Sequence, residues 1–200
     1  MDVLMLESES GAADAAIRNL EDGGHRVFRC HEPGAAAFPC RALAGEGPCP
    51  LADPGIDVAV TFRAHPDPQP SAREDGVACA LRARVPLVVA GNDILNPYDE
   101  WAAEVVPDDD VVGACERVLD APSGDHSEVA TDALGEALQR RAGSTGDADA
   151  LVWRDHRRLR VSLEGAEGLD DSVRGIVAAD VAAALRAFDP VIPKIDIAFS

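Results

Sequence analysis

The chain has 200 residues, an apolar fraction of 46%, and 36 acidic against 18 basic residues, for a formal net charge of −18. A surface this acidic repels phosphate backbones and anionic lipid, which argues against nucleic acid and membrane surfaces as partners. No run of about 18 apolar residues is present to form a membrane-spanning helix, and aromatics are only 4% of the chain, so the core is expected to be aliphatic.

Residues 1–7 lack the basic region and cleavage site of a signal peptide, which points to a cytoplasmic protein. Residues 3–6 are a short continuous apolar run, the pattern of a buried central strand. Ala12, Ala16, Ile17 and Leu20 recur at helical spacing, with Ser10 as the expected N-cap and Gly23-Gly24 as the stop. Residues 26–29 form a second strand, completing a βαβ opening. A loop of more than twenty residues follows, carrying Cys30, His31, Cys40 and Cys49. Loops that long without secondary structure are uncommon in compact domains and are usually functional or disordered.

Residues 56–62 read as the third strand. A helix over 74–84 then places Val77, Ala78 and Leu81 inward. Residues 85–90 are the fourth strand, 91–101 a loop with a short helix, and 103–106 a short fifth strand. Asp108, Asp109 and Asp110 precede a helix through Val111, Ala114, Cys115 and Val118, where acidic residues complement the helix dipole. Strands alternating with helices predict an α/β fold with a doubly wound, five-stranded parallel sheet.

Residues 1–121 form this first domain, and 121–125 read as a linker. The second domain, 126–200, is a small α+β unit in the order helix-strand-strand-helix-strand. Its helix over 126–141 is amphipathic, with Val129, Ala133, Leu134, Ala137 and Leu138 on one side. Residues 155–158 read as a hairpin turn. Leu159, Val161 and Leu163 alternate with polar residues, so one face of the sheet is wet. A long Ala/Val helix over 170–188 and a last strand over 194–199 complete the unit.

Ligands of open α/β sheets bind beyond the carboxyl ends of the strands, at the switch point between the first and third. Glu7, Glu9, Arg63, His65, Asn92 and Asp93 fall at that rim. Glu7 and Glu9 are candidates for holding a divalent cation, or else complement a helix dipole. Arg63 and His65 are candidates for gripping an anion.

Cys30, His31, Cys40 and Cys49 offer thiolate and imidazole donors of the kind that suit zinc. Their spacing, Cys-x9-Cys-x8-Cys, contains no Cys-x2-Cys knuckle, so small apolar fillers or free thiols are the other reading. Cys79 and Cys115 fall on apolar helix faces and are expected in the core. A dinucleotide fingerprint, a P-loop and a nucleophile elbow are all absent, and no Ser/His triad is apparent.

Val-Leu-Met-Leu-Glu-Ser-Glu at the first strand, Ile-Asp-Val-Ala-Val-Thr-Phe at the third, Val-Pro-Leu-Val-Val-Ala at the fourth and Glu-Val-Val-Pro-Asp at the fifth carry a resemblance. Residues 1 to about 120 resemble a flavodoxin-like response-regulator receiver. The family's phosphotransfer groups are missing. Thr61 or Phe62 stands where the phospho-accepting Asp would close the third strand, Ala90 or Gly91 where a hydroxyl residue would follow the fourth, and Val106 where a lysine would precede the proline of the fifth.

Together with the strand-helix alternation, the resemblance therefore implies a pseudo-receiver whose parallel sheet runs in the order 2-1-3-4-5. The C-terminal unit, through Leu-Arg-Val-Ser-Leu-Glu-Gly and Lys-Ile-Asp-Ile-Ala-Phe, resembles the small α+β modules of the alkaline-shock and BON families. The expected function is a non-catalytic two-domain binding or regulatory protein that engages a protein partner or itself. The alternative is a metal-binding or thiol-dependent protein using the cysteine loop.

Overall fold

The six residues Asp2–Glu7 form β1, buried along its whole length and hydrogen-bonded on both edges. The computed structural model to which it belongs describes residues 1–52, 55–92, 94–143, 147–166 and 168–200. These divide into two compact units, Met1–Leu119 and Asp120–Ser200.

In the first unit, β1 is followed by α1 (Asp14–Asp22), β2 (Arg26–Arg29), α2 (Arg41–Ala44), β3 (Val58–Arg63), α3 (Gly76–Arg82), β4 (Leu87–Gly91), β5 (Ala102–Val106) and α4 (Val111–Asp120). The five strands pair in parallel in the order β2-β1-β3-β4-β5. This is the expected order, with the connection reversing direction between β1 and β3.

Because successive side chains of a strand point to opposite faces, the sheet splits its apolar residues into two cores. Val3, Met5, Val58, Val60, Val88 and Ala90 pack against α1 and α4. Leu4, Leu6, Ala59, Leu87 and Val89 pack against α3 and the Tyr98 ring. Both faces are therefore covered, as a parallel sheet requires.

Several local expectations are corrected. Ser10 does not cap α1. The helix begins later, and the N–H of Ala13 donates instead to Glu7 Oε1 at 3.1 Å. The Ser10 hydroxyl accepts the N–H of Gly34 at 2.9 Å and so tethers the cysteine loop. That loop contains the four-residue α2 and a 3₁₀ turn at Pro50–Ala52.

The inward face of α3 is Gly76, Val77 and Ala80, and Ala78 is exposed. Gly76 allows this helix to approach closely, since a β-carbon there would lie 2.5 Å from Leu6 Cδ2. The segment expected to hold a short helix, 91–101, runs through turns among its described residues.

The second unit comprises α5 (Gly124–Ala142), β6 (Asp149–Asp155), β7 (Arg158–Glu164), α6 (Asp171–Phe188) and β8 (Lys194–Phe199). β6 and β7 form the expected hairpin, and β8 adds in parallel to β7. Leu134, Ala137, Val177, Val181 and Leu185 of the helices bury the apolar face of the sheet formed by Ala150, Val152, Leu159, Val161 and Leu163.

This unit starts before residue 126. Ser123 flanks α5 as its N-cap residue, and its N–H donates to the carbonyl of Val152 at 2.7 Å. One face of α5 then seals the edge of β6. Ser127 Oγ accepts the N–H of Val152 at 3.0 Å, and Thr131 Oγ1 accepts the N–H of Ala150 at 3.0 Å. Covering an edge in this way removes a template for aggregation. Among the described residues no helix is long and apolar enough to cross a membrane.

Candidate functional site

The carboxyl ends of β1 and β3 are occupied by the protein's own charged side chains. Glu7 closes β1 with its side chain only 7% exposed. Besides accepting the Ala13 N–H, its carboxylate lies 3.6 Å from Arg29 Nη1.

Arg63 closes β3 and is buried. Its Nη1 donates to both carboxylate oxygens of Glu74, at 2.8 and 2.9 Å, and Nη2 donates to the carbonyls of Asp67 and Gln69. The Thr61 hydroxyl donates to Glu74 Oε1 at 2.8 Å. Glu74 also completes a capping box by accepting the Ser71 N–H at 2.8 Å. The guanidinium lies over the Tyr98 ring, 5.8 Å from its centroid, and burial pushes the Tyr98 phenol up in pKa. A buried charge is tolerable only when paired and hydrogen-bonded, and Arg63 and Glu74 satisfy that condition for each other.

The remaining rim residues do not gather. Glu9 and His65 are exposed, with 3.6 Å between Oε1 and Nε2. Asn92 folds onto its own turn, its side-chain oxygen accepting the Ile94 N–H at 3.1 Å. Asp93 lies outside the described residues.

The cysteine loop lies along the other side of β2. Cys30 is buried, while Cys40 and Cys49 are half-buried. The N–H of Arg41 donates to the carbonyl of Cys30 at 3.2 Å, so Cys30 and Cys40 lie side by side. Burial first, then the neighbouring thiols of Cys49, Cys40 and Cys79, push the Cys30 thiol up to about 12.

His31 has different neighbours. Its imidazole is held below its usual pKa by burial and then by the charge of Arg73. Among the described residues no three His, Cys, Asp or Glu side chains come together so as to hold a metal ion. Cys30, His31, Cys40 and Cys49 therefore form no zinc-type cluster here. Cys79, expected in the core, is exposed on α3 and contacts Arg82 Nη2 at 3.3 Å. Cys115 is buried, as expected, with its thiol pushed up to about 12 chiefly by that burial.

Between α1, β2 and the loop opens a cleft of about 1020 Å³. Arg18, Arg29 and Arg41 line it opposite Asp14, Glu21 and Glu32, and Cys49 forms part of its wall. Arg29 pairs with Asp14 at 3.3 Å and Arg41 with Glu32 at 2.5 Å. The cleft is thus balanced in charge on a chain that is strongly negative as a whole.

The second unit holds a polar array that the sequence reading missed. His126 Nδ1 lies 2.8 Å from Ser123 Oγ, and Nε2 lies 3.1 Å from Asp189 Oδ2. Arg154 Nη1 also reaches Asp189, at 3.4 Å. Burial alone would raise the Asp189 pKa, but the His126 hydrogen bond and the Arg154 charge outweigh it and hold the carboxyl below the usual range.

A carboxylate on Nε2 favours the tautomer protonated there, which leaves Nδ1 to accept from the Ser123 hydroxyl; the Ser-His-Asp sequence of contacts is that of a nucleophile–base–acid array with the two ring nitrogens exchanged. Here the histidine is 1% exposed, its ring centroid 5.2 Å from that of Phe188 in an edge-to-face contact. The array therefore ties the start of α5 to the end of α6. Its sequence signal was the Ser-x-x-His spacing at a helix start, which is too common to single out alone.

The strand order and two-sided helix packing define the first unit as a flavodoxin-like α/β fold. Comparisons with protein-family models, with curated proteins and with solved structures return no match.

Proposed function

We propose that the chain is a non-catalytic binding or regulatory protein whose receiver-like unit takes no phosphate, joined to a small interaction unit. One observation carries this reading. At the end of β3, where a receiver would present its phospho-acceptor, the buried residues are Thr61, Phe62 and Arg63. Phosphotransfer needs an anionic nucleophile beside a bound cation. Here Arg63 and Glu74 neutralise each other within hydrogen-bond distance. The pair fills the end of β3, and a cleft of about 1020 Å³ lies along β2.

The test is incubation of the full chain with acetyl phosphate and Mg²⁺, followed by intact mass measurement. The expected result is an unchanged mass. A phosphate adduct localised to an Asp of the first unit would refute the reading.

A further inference from the structure

We propose that Cys30 and Cys40 are a redox modification site, closing to a reversible disulfide at the root of the loop that walls the β2 cleft. This goes beyond the binding role and holds whatever occupies the cleft.

The argument starts with backbone geometry. The Arg41 N–H donates to the Cys30 carbonyl at 3.2 Å. That bond limits the separation of the Cys30 and Cys40 α-carbons to roughly 8 Å at most. A disulfide spans about 4.4–6.8 Å between α-carbons, so the bond permits this pairing with at most a small shift of the loop. Cys40 sits in extended backbone immediately before α2, in a segment with no buried side chains to resist a small shift. Cys30 is fixed from below, since a β-carbon on Gly76 would lie 3.1 Å from its sulfur. One partner is therefore anchored in the core and the other is half-exposed on the loop. Cys115 packs in the core on the opposite face of the sheet, which removes it as a partner, and among the described residues no backbone hydrogen bond ties Cys49 or Cys79 to Cys30 as the Arg41 N–H ties Cys40.

The chemistry follows from exposure. The thiolate is the reactive form, and an oxidant in solution reaches the half-exposed thiol before the buried one. Cys40 is thus the attacking group and a hydroperoxide the oxidant. The Cys40 thiolate attacks the distal peroxide oxygen, the O–O bond breaks, and the departing alkoxide takes a proton to become an alcohol. Cys40 is left as a sulfenic acid. The sulfur of Cys30 then attacks that of Cys40, the S–O bond breaks, and water leaves with the proton of Cys30. Two thiols and one hydroperoxide give one disulfide, one alcohol and one water. The two sulfurs together lose two electrons, and the peroxide gains them. Because Cys30 is the buried thiol, the second step accelerates as the pH rises from 7 to 9.

The experiment uses the full chain, reduced and then exposed to hydrogen peroxide, with free thiols blocked under denaturing conditions before peptide mapping. The expected result is a fall from the five free thiols to three, a peptide joining Cys30 to Cys40, and recovery of all five with dithiothreitol. Cys40→Ser, with Cys40→Ala as a second variant, should abolish the cross-link, and Cys115→Ser should leave it unchanged. Five thiols remaining, oxidation that stops at Cys40 without a cross-link, or a cross-link joining any other pair would each overturn the proposal.

Discussion

Arg63 shows how a residue can be placed correctly by sequence and still have its role misread. Its position at the end of β3 was legible, because an apolar strand ends there. Its direction was not, because the strand-end position is equally compatible with an open rim and a buried pair. The partner was in fact signalled. Ser71 and Glu74 have the spacing of a capping box, and that box forms with Glu74 fully buried. Replacing Glu74 by Gln keeps the shape but leaves a buried guanidinium without its counter-charge. Loss of one partner of a buried pair costs about 3–5 kcal/mol. The Glu74→Gln variant is therefore expected to unfold its first unit at clearly lower urea than the parent, measured by circular dichroism. A shift of less than about 1 kcal/mol, the worth of a surface pair, would show that the buried pair does not hold the first unit together.

At the scale of elements, the strands were the most legible part. β2 and β8 lie where the apolar runs place them, and the 2-1-3-4-5 order is the one that strand-helix alternation and the receiver-like spacing together imply. The misses were short or rotational. The four-residue α2 is shorter than one hydrophobic repeat, so no periodicity could reveal it. Rotation of α3 brings Gly76 rather than Ala78 inward and leaves Cys79 outside, because close approach to Leu6 favours the residue without a side chain.

The hydroxyl ladder of α5 was visible as Ser123, Ser127 and Thr131 at intervals of four, but nothing in the sequence names the strand it faces. Each hydroxyl-to-backbone bond is worth about 1 kcal/mol, and leaving a buried N–H unmade costs more. A Ser127→Ala, Thr131→Val double variant is therefore expected to lose about 2–4 kcal/mol of stability in the second unit. It should also aggregate more readily, as the β6 edge becomes available. Urea titration and light scattering measure the two effects. Unchanged stability would mean that water replaces the hydroxyls at no cost.

For the whole molecule, net charge and fold have to be considered together. Both units are built from small aliphatic cores, and the chain carries 18 more acidic than basic residues. Like charges destabilise a compact state through self-repulsion. The buried pairs Arg63–Glu74 and Arg154–Asp189 are shielded from ions, with side chains 5% exposed or less. The excess charge on the surface is not shielded. Salt should therefore weaken the repulsion while leaving the buried pairs largely intact.

The screening length falls from about 10 Å at 0.1 M to about 3 Å at 1 M. The expected outcome is a thermal midpoint that rises as sodium chloride is taken from 0.05 to 1 M, with most of the gain below about 0.5 M. Sodium chloride is the appropriate probe, because sulfate would also strengthen apolar burial and confound the reading. A flat or falling midpoint over this range would mean that exposed ion pairs such as Arg41–Glu32 and Arg117–Glu104 stabilise the fold more than the surplus carboxylates destabilise it.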